Sequence, residues 1–267
     1  MKVIVYGAKG SISYSNGSEF GGNTSCMTVE SCGEELVVDA GSGLYAYQKK
    51  IETGKSSQKP VNILVSHLHL DHIIGLGMFS PAWSGRKVNI YTIKRGSKPL
   101  REQVLGIFSP PYWPKSMMGL ANVDVFEIFP DVSFQVGVFQ VTPFLASHPD
   151  ETISFHITDG KKLFVHLLDS EYESTNPIDY EASNVYYKNA DLVVFDACYL
   201  PVDYHKFVGF GHSTVKHGVE LARKWGVKHM MFSHFSQNYS DEEIKSLVSY
   251  FDGEGFCLAR DGMELEI

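Results

Sequence analysis

His67-Leu68-His69-Leu70-Asp71-His72 is the stretch on which the reading of this chain turns. It directly follows Val61-Asn62-Ile63-Leu64-Val65, an apolar, β-branched run that predicts a buried strand. Extended residues two apart point the same way, so His67 and His69 can share one ion. Asp71 and His72 come where the chain turns into a helix, which lets their side chains point away from that pair toward a second ion. Three imidazoles and one carboxylate in six residues suit a borderline metal such as Zn²⁺. The bland alternative is a surface loop that happens to be rich in histidine. The position at the end of an apolar strand, where α/β proteins place their chemistry, argues against it.

One hexapeptide cannot close two metal sites, so further ligands must come from elsewhere. Three polar residues stand at the ends of other apolar runs: His148 after 141–147, Asp169 after 163–168, and His234 after 230–233. Working outward, strands are expected at 3–6, 24–30, 35–39, 61–65, 88–92, 124–129, 133–144, 153–158, 162–168, 192–195 and 228–233, with a short closing strand pair. The second and third of these flank a hairpin turn at Ser31-Cys32-Gly33-Glu34. Helices are expected at 44–53, 73–79, 99–108, 213–225 and 241–251. Ser240 and Glu243 form a capping box for the last, in which Ile244, Leu247, Val248 and Phe251 recur at helical spacing. Residues 55–60 and the proline-rich 109–115 read as loops. This mixture suggests sheets covered on their outer faces by helices, in one domain spanning 1–267.

Composition narrows the function classes. Hydrophobic residues make up 43% and charged residues 20% of 267, enough apolar material for a large core. No apolar run approaches the roughly 18–20 residues that cross a bilayer. Met1-Lys2-Val3-Ile4-Val5-Tyr6-Gly7 lacks a signal-peptide apolar core, so the chain is expected in the cytoplasm, away from membranes. The cysteines, Cys26, Cys32, Cys198 and Cys257, have no framework spacing and read as free thiols. The net charge is −8 with no Lys/Arg cluster, which argues against a long nucleic acid as partner. A homodimer is left open.

Together with Asp39-Ala40-Gly41-Ser42-Gly43, these motifs resemble the metallo-β-lactamase superfamily of dinuclear metal hydrolases. The resemblance runs from Gly21-Gly22-Asn23-Thr24-Ser25-Cys26 to Ser240-Asp241. It implies an α/β fold, a four-layer αββα sandwich with the metals at one edge of the two sheets. It further implies that His67, His69 and His148 hold one divalent ion, that Asp71, His72 and His234 hold the other, and that Asp169 bridges them. The ions would be zinc, with manganese as the alternative. Asp39 resembles the family's buried carboxylate that orients a ligand histidine.

Departures within the family select the chemistry. Lactamase-type members carry Cys at the bridging position and lack the sixth-position His, whereas this chain has Asp169 and His72. Diiron flavoprotein members carry Glu at the second His and a flavin domain; this chain has His69 and no such domain. A double site of nitrogens and carboxylates suits phosphodiester hydrolysis, in which two ions clamp the phosphoryl oxygens and a hydroxide bridging them attacks phosphorus. Gly209-Phe210-Gly211-His212-Ser213-Thr214 resembles the Gly-His-Ser-Thr signature of the phosphodiesterase branch, which includes tRNase Z. There His212 would act as phosphate contact or general acid. Val194-Phe195-Asp196-Ala197-Cys198 resembles the branch's His-Glu-Ala-Thr segment, with Asp196 as the partner of His212. The plainer role for His212 is capping the following helix.

Only 21 positions separate His148 from Asp169, so the long basic arm with which tRNase Z grips tRNA has no counterpart here. What remains is similar to small cyclic phosphodiesterases such as phosphoribosyl cyclic phosphodiesterase, without that enzyme's Cys-rich zinc site. Pro149-Asp150-Glu151-Thr152 stands where relatives carry a Gly-rich stretch, and its carboxylates could narrow the pocket. The expected function is therefore a dinuclear metal-dependent phosphodiesterase acting on a small, cyclic phosphate ester. The alternatives are a thioesterase or lactonase, a tRNA 3′-processing activity, and a non-catalytic metal-binding sensor. His156 and His166 inside strands, and His205, His217 and His229 in loops or on helix surfaces, read as structural or solvated.

Overall fold

Val3 and Val5 face one way and Ile4 the other, and that alternation places two different cores on the two faces of one sheet. The computed structural model describes residues 1–15, 17–53, 59–172, 182–251 and 255–267. Among these, the first sheet is made from β1 (Lys2–Gly7), β2 (Cys26–Ser31), β3 (Glu34–Val38), β4 (Val61–Leu64), β5 (Val88–Thr92), β6 (Val123–Glu127) and β14 (Glu264–Glu266). The second comprises β7 (Phe134–Val136), β8 (Phe139–Ala146), β9 (Thr152–Thr158), β10 (Leu163–Leu167), β11 (Leu192–Asp196), β12 (Met230–Ser233) and β13 (Phe256–Leu258). Their orders are β14-β1-β2-β3-β4-β5-β6 and β13-β12-β11-β10-β9-β8-β7. The neighbours from β3 to β6 and from β10 to β13 run parallel; the other pairs are antiparallel.

Between the sheets, Val5, Met27, Leu36 and Val38 meet Val141, Phe155, Phe164 and Met231. Helices α1 (Leu44–Thr53), α2 (Leu70–Ile73), α3 (Ser80–Trp83) and α4 (Leu100–Leu105) follow first-sheet strands. Leu44, Tyr47, Ala82 and Leu105 cover Val37, Ile63 and Ile90 on that sheet's outer face. Helices α5 (Val215–Trp225) and α6 (Asp241–Ser246) cover the second sheet, with Val219, Leu221 and Ile244 against Val193, Phe195 and Phe232. This is the four-layer αββα arrangement that the family resemblance implies. No helix among the described residues is long and apolar enough to cross a membrane.

Several element readings need correction. Residues 133–144 form a hairpin rather than one strand, because Gly137 turns the chain at φ +56° between β7 and β8. The helix expected at 73–79 begins earlier, at Leu70, and continues as a 3-10 turn over Ile74–Met78. The last helix likewise tightens into a 3-10 turn at Leu247–Tyr250. The closing strands are not paired with each other. β13 joins β12 and β14 joins β1, so each covers the edge of a different sheet. Of the loop read at 55–60, residues 55–58 lie outside the described residues, as does Gly54.

The capping box forms as its residues predict: Ser240 Oγ accepts the Glu243 N–H, and the Glu243 carboxylate accepts the Ser240 N–H. Ser240→Ala should cost about 1 kcal/mol. In thermal denaturation that is a Tm loss of about 2–4 °C for a chain of this order of size.

Candidate metal centre

Six strands of the two sheets deliver polar residues from their C-terminal ends to one edge of the sandwich. β3 ends at Asp39, β4 runs into Ser66–His72, and β8 into His148, while β10, β11 and β12 bring Asp169, Asp196 and His234. The backbone turns sharply at three of these positions. Asp39, Asp169 and His234 have φ of +61°, +49° and +66°, the left-handed region that non-glycine residues enter at a cost of order 1–3 kcal/mol each. His69 is still extended, at φ −62° and ψ 148°, and α2 starts one residue later. That break is what separates His67 and His69 from Asp71 and His72.

The structure brings all seven sequence-predicted ligands together in overlapping groups. The donor atoms of His67, His69 and His148 lie within 4.8 Å of one another, as do those of Asp71, His72 and His234. A third group of His67, His72 and Asp169 links the two. Asp169 Oδ2 is 3.1 Å from His72 Nε2 and 3.4 Å from His234 Nε2, while Oδ1 is 3.8 Å from His67 Nε2. Asp71 Oδ2 is 3.4 Å from His72 Nε2 and 3.3 Å from His234 Nε2. Two ligands of one tetrahedral zinc, each about 2.0–2.1 Å from the ion, stand roughly 3.3 Å apart, close to these spacings. The Nε2 atoms of His67, His72 and His234 and Asp169 Oδ2 are buried without a hydrogen-bond partner. Burying such atoms unpaired is costly, and a cation among them would remove that cost, so the residues present fit divalent metal.

Hydrogen bonds orient two of these imidazoles. His72 Nδ1 donates to Asp39 Oδ2 at 2.7 Å, and the same carboxylate accepts Ser25 Oγ–H and the Ser66 N–H. His148 Nδ1 donates to the Gly211 carbonyl at 3.0 Å. Both contacts aim Nε2 at the centre, where the neutral ring would offer its lone pair to a metal. Burial pushes the Asp39 carboxyl up, but the neighbouring His72 and His166 outweigh it and hold it at about 2. Burial opposes ionisation of Asp71 and Asp169 as well, yet His72 and His234 keep both well below the usual carboxylate range. Burial drives the His67 imidazole down, and charge on His72 adds to that.

His212 stands at the edge of this cluster, its ring centroid 5.1 Å from that of His234 and 5.3 Å from that of His148. Its Nδ1 lies 2.8 Å from Asp196 Oδ2, so the shorter carboxylate reaches its partner. Asp196 is fully buried and also accepts the N–H groups of Asp169, Cys198 and Ser213. Burial lowers the His212 pKa, but Asp196 and then Asp169 lift it above the ordinary histidine value. Thr214 is the N-cap of α5, so the capping role considered for His212 is not the one it takes.

Two contributors escaped the sequence reading. Glu171 is buried and accepts the N–H groups of Gly209 and Gly211 and the Tyr204 hydroxyl, which fixes the loop that orients His148. Its only signal was a carboxylate two positions beyond Asp169. His166, read as structural, is buried with its Nε2 3.5 Å from Asp39 Oδ2 and beneath the Asp39–His72 pair. His217 is not on a helix surface but buried against Tyr204 and Tyr172. His205 and His229 are exposed. Asp150 does reach the centre, its Oδ2 3.1 Å from His69 Nε2.

Gly211 is the tightest point of the loop. Its φ is +87°, and a Cβ there would lie 2.1 Å from His148 Nδ1 and 2.4 Å from Pro149 Cδ. Gly211→Ala should therefore displace His148. Metal analysis of the purified variant should find the ion of the His67–His69–His148 group lost or strongly weakened, with circular dichroism unchanged.

A family model described as Beta-lactamase superfamily domain matches residues 34–235. Ribonuclease Z of Nitrosopumilus maritimus (strain SCM1) is 23% identical over 282 aligned residues, covering 91% of this chain and 93% of that protein. The human short-form tRNase Z structure superposes with a TM-score of 0.71 at 20% identity, covering 100% of this chain and 99% of that one. A diphosphatase from the PhnP family gives a TM-score of 0.71 at 20% identity, over 100% and 97% of the two chains. The sandwich, the strand-end cluster and a family match across most of the sequence agree: the chain belongs to the beta-lactamase superfamily, with the metallo-β-lactamase fold, and is a hydrolase.

Proposed function

We propose that this hydrolase is a dinuclear metal-dependent phosphodiesterase acting on a small, cyclic phosphate ester in the cytoplasm. The observation that carries the reading is the His212–Asp196 pair, set beside a cluster whose two halves share the Asp169 carboxylate. Bound by His67, His69 and His148 on one side, by Asp71, His72 and His234 on the other and by Asp169 in common, two divalent ions, zinc or manganese, would supply a hydroxide nucleophile at neutral pH and positive charge for the phosphoryl oxygens. The chain's own groups do the rest. Asp39 and the Gly211 carbonyl fix His72 and His148 in one tautomer. Asp196 accepts from His212 Nδ1 and favours the imidazolium, whose Nε2 proton can then pass to a departing alkoxide, leaving the neutral ring. The side chain of His212 is 13% exposed, so it can meet the substrate while the atoms behind it stay dry.

A second reading, RNA 3′ processing, is favoured by relatives named Ribonuclease Z that align along most of the chain. Against it stand the net charge of −8 and the link from His148 to Asp169, which is occupied by the β9–β10 hairpin. The test is turnover of bis(p-nitrophenyl) phosphate, a 2′,3′-cyclic nucleotide and a tRNA precursor with a 3′ trailer by the zinc-loaded chain. Hydrolysis of the first two without trailer cleavage is the expected result. Efficient trailer cleavage would move the assignment to the second reading, and turnover confined to thioesters or lactones would remove both.

A further inference from the structure

A cleft of about 340 Å³ is lined chiefly by Ser11, Ile12, Ser13, Leu70, Ile74 and the candidate ligand Asp71. That volume is at the small end of ligand pockets, which run about 300–1,000 Å³. Among the described residues that line it, Asp71 is the one charged group, and its carboxylate already faces His72 and His234. Ile12 and Leu70 are nevertheless left open to solvent, 66% and 50% exposed. Large apolar side chains flanking a charged cluster have a reason to be exposed if something apolar covers them during function.

The cleft wall is held by hydrogen bonds. Ser11, at φ +65°, donates its N–H to Asp71 Oδ2 at 2.8 Å, which ties this loop directly to a candidate metal ligand. The Ile12 N–H donates to the Gly10 carbonyl at 2.8 Å, and Gln237 Nε2 donates to the Ile12 carbonyl at 2.7 Å. The Ile12 backbone is thus bonded at both its N–H and its carbonyl. A second cleft that Ser11 also lines has a different character, with Tyr199, Lys206, Asn238 and Tyr239 among its lining residues.

We propose that the Ile12–Leu70–Ile74 cleft is the subsite for an aromatic or other apolar group carried by the substrate's phosphate. The inference rests on the reading that a phosphate ester binds at the centre, and it adds which kind of ester. The occupant follows from Asp71, which both lines the cleft and belongs to the candidate ligand set, and from the lack of any cation among the described lining residues, which leaves an anionic arm without a counter-charge there. Apolar contacts in a preformed pocket separate related ligands by tens of fold.

Calorimetric titration of the zinc-loaded 267-residue chain with phenyl phosphate and methyl phosphate tests this without requiring turnover. Phenyl phosphate should bind about tenfold or more tightly than methyl phosphate. Ile12→Ser and Leu70→Ser, made separately, should each shrink that ratio to about threefold or less by weakening phenyl phosphate. Equal affinities in the unmodified chain would overturn the subsite and leave the phosphodiesterase reading standing. A preference that survives both substitutions would overturn it as well, because the selectivity would then arise elsewhere. Binding of neither monoester at millimolar concentration would overturn the phosphate reading, and the subsite with it.

Discussion

Asp169→Ala should yield a protein that, after zinc loading and gel filtration, retains neither ion by elemental analysis and hydrolyses no phosphodiester above background. Its carboxylate is the group that faces His67, His72 and His234 together, and its removal leaves their buried nitrogens with no shared anion. Asp71 would still face His72 and His234, but the carboxylate shared with His67 and joining the two groups would be gone. Asp169→Asn makes the test specific. Asparagine tolerates the left-handed φ of +49°, and the backbone N–H that donates to Asp196 is retained. The Asn variant should therefore fold normally and still bind metal poorly. Zinc should also cease to raise Tm in both variants, since an ion stabilises only the state that binds it. Two tightly held ions in Asp169→Asn would remove the bridging role.

His212→Ala should behave in the opposite way, retaining both ions while losing turnover. Its imidazole lies within 4.8 Å of the ligand atoms of Asp169 and His234 but belongs to neither the His67–His69–His148 nor the Asp71–His72–His234 group, and Asp196 holds it from behind. Removing a general acid costs about 10²–10⁴-fold in rate, and only when the leaving group needs a proton. The full loss in kcat is therefore expected on a 2′,3′-cyclic nucleotide, whose leaving group is an alkoxide. A much smaller loss is expected on bis(p-nitrophenyl) phosphate, whose nitrophenolate departs unaided. Equal losses on both substrates would show His212 to be a phosphate contact or a support for His234 rather than a proton donor. Asp196 is the wrong residue for this experiment, because deleting it strands three backbone N–H groups besides the imidazole.

The parts of the site legible in the sequence were those governed by local geometry. The alternation of an extended chain pairs His67 with His69, and the apolar runs before His148, Asp169 and His234 mark them as strand-end residues. The resemblance then supplied the grouping that local rules leave open. What was not legible depends on contacts between distant segments. Glu171 acquires its role only because Gly209 and Gly211, some forty positions on, fold back over it. His217 looks like any helix residue until Tyr204 closes on its ring. The β7–β8 hairpin was missed because Gly137 lies between Val136 and Val138, with none of the polar residues that usually mark a turn. The last two strands are three residues each, and nothing local says which sheet Phe256–Leu258 or Glu264–Glu266 will join.

That assignment has a consequence for synthesis. The first sheet has six of its strands by Glu127, but its inner face, with Val5, Met27, Leu36 and Val38, finds its cover only in strands that run from Phe134 to Leu258. At ribosomal speeds of about 5–20 residues per second, that greasy surface waits on the order of ten seconds for its other half. The edge beside β1 waits longer still, until Glu264–Glu266 emerges. The nascent chain is thus most vulnerable to self-association midway through translation, and slowing growth or supplying a chaperone during expression should raise the yield of folded protein more than any change to the metal supply.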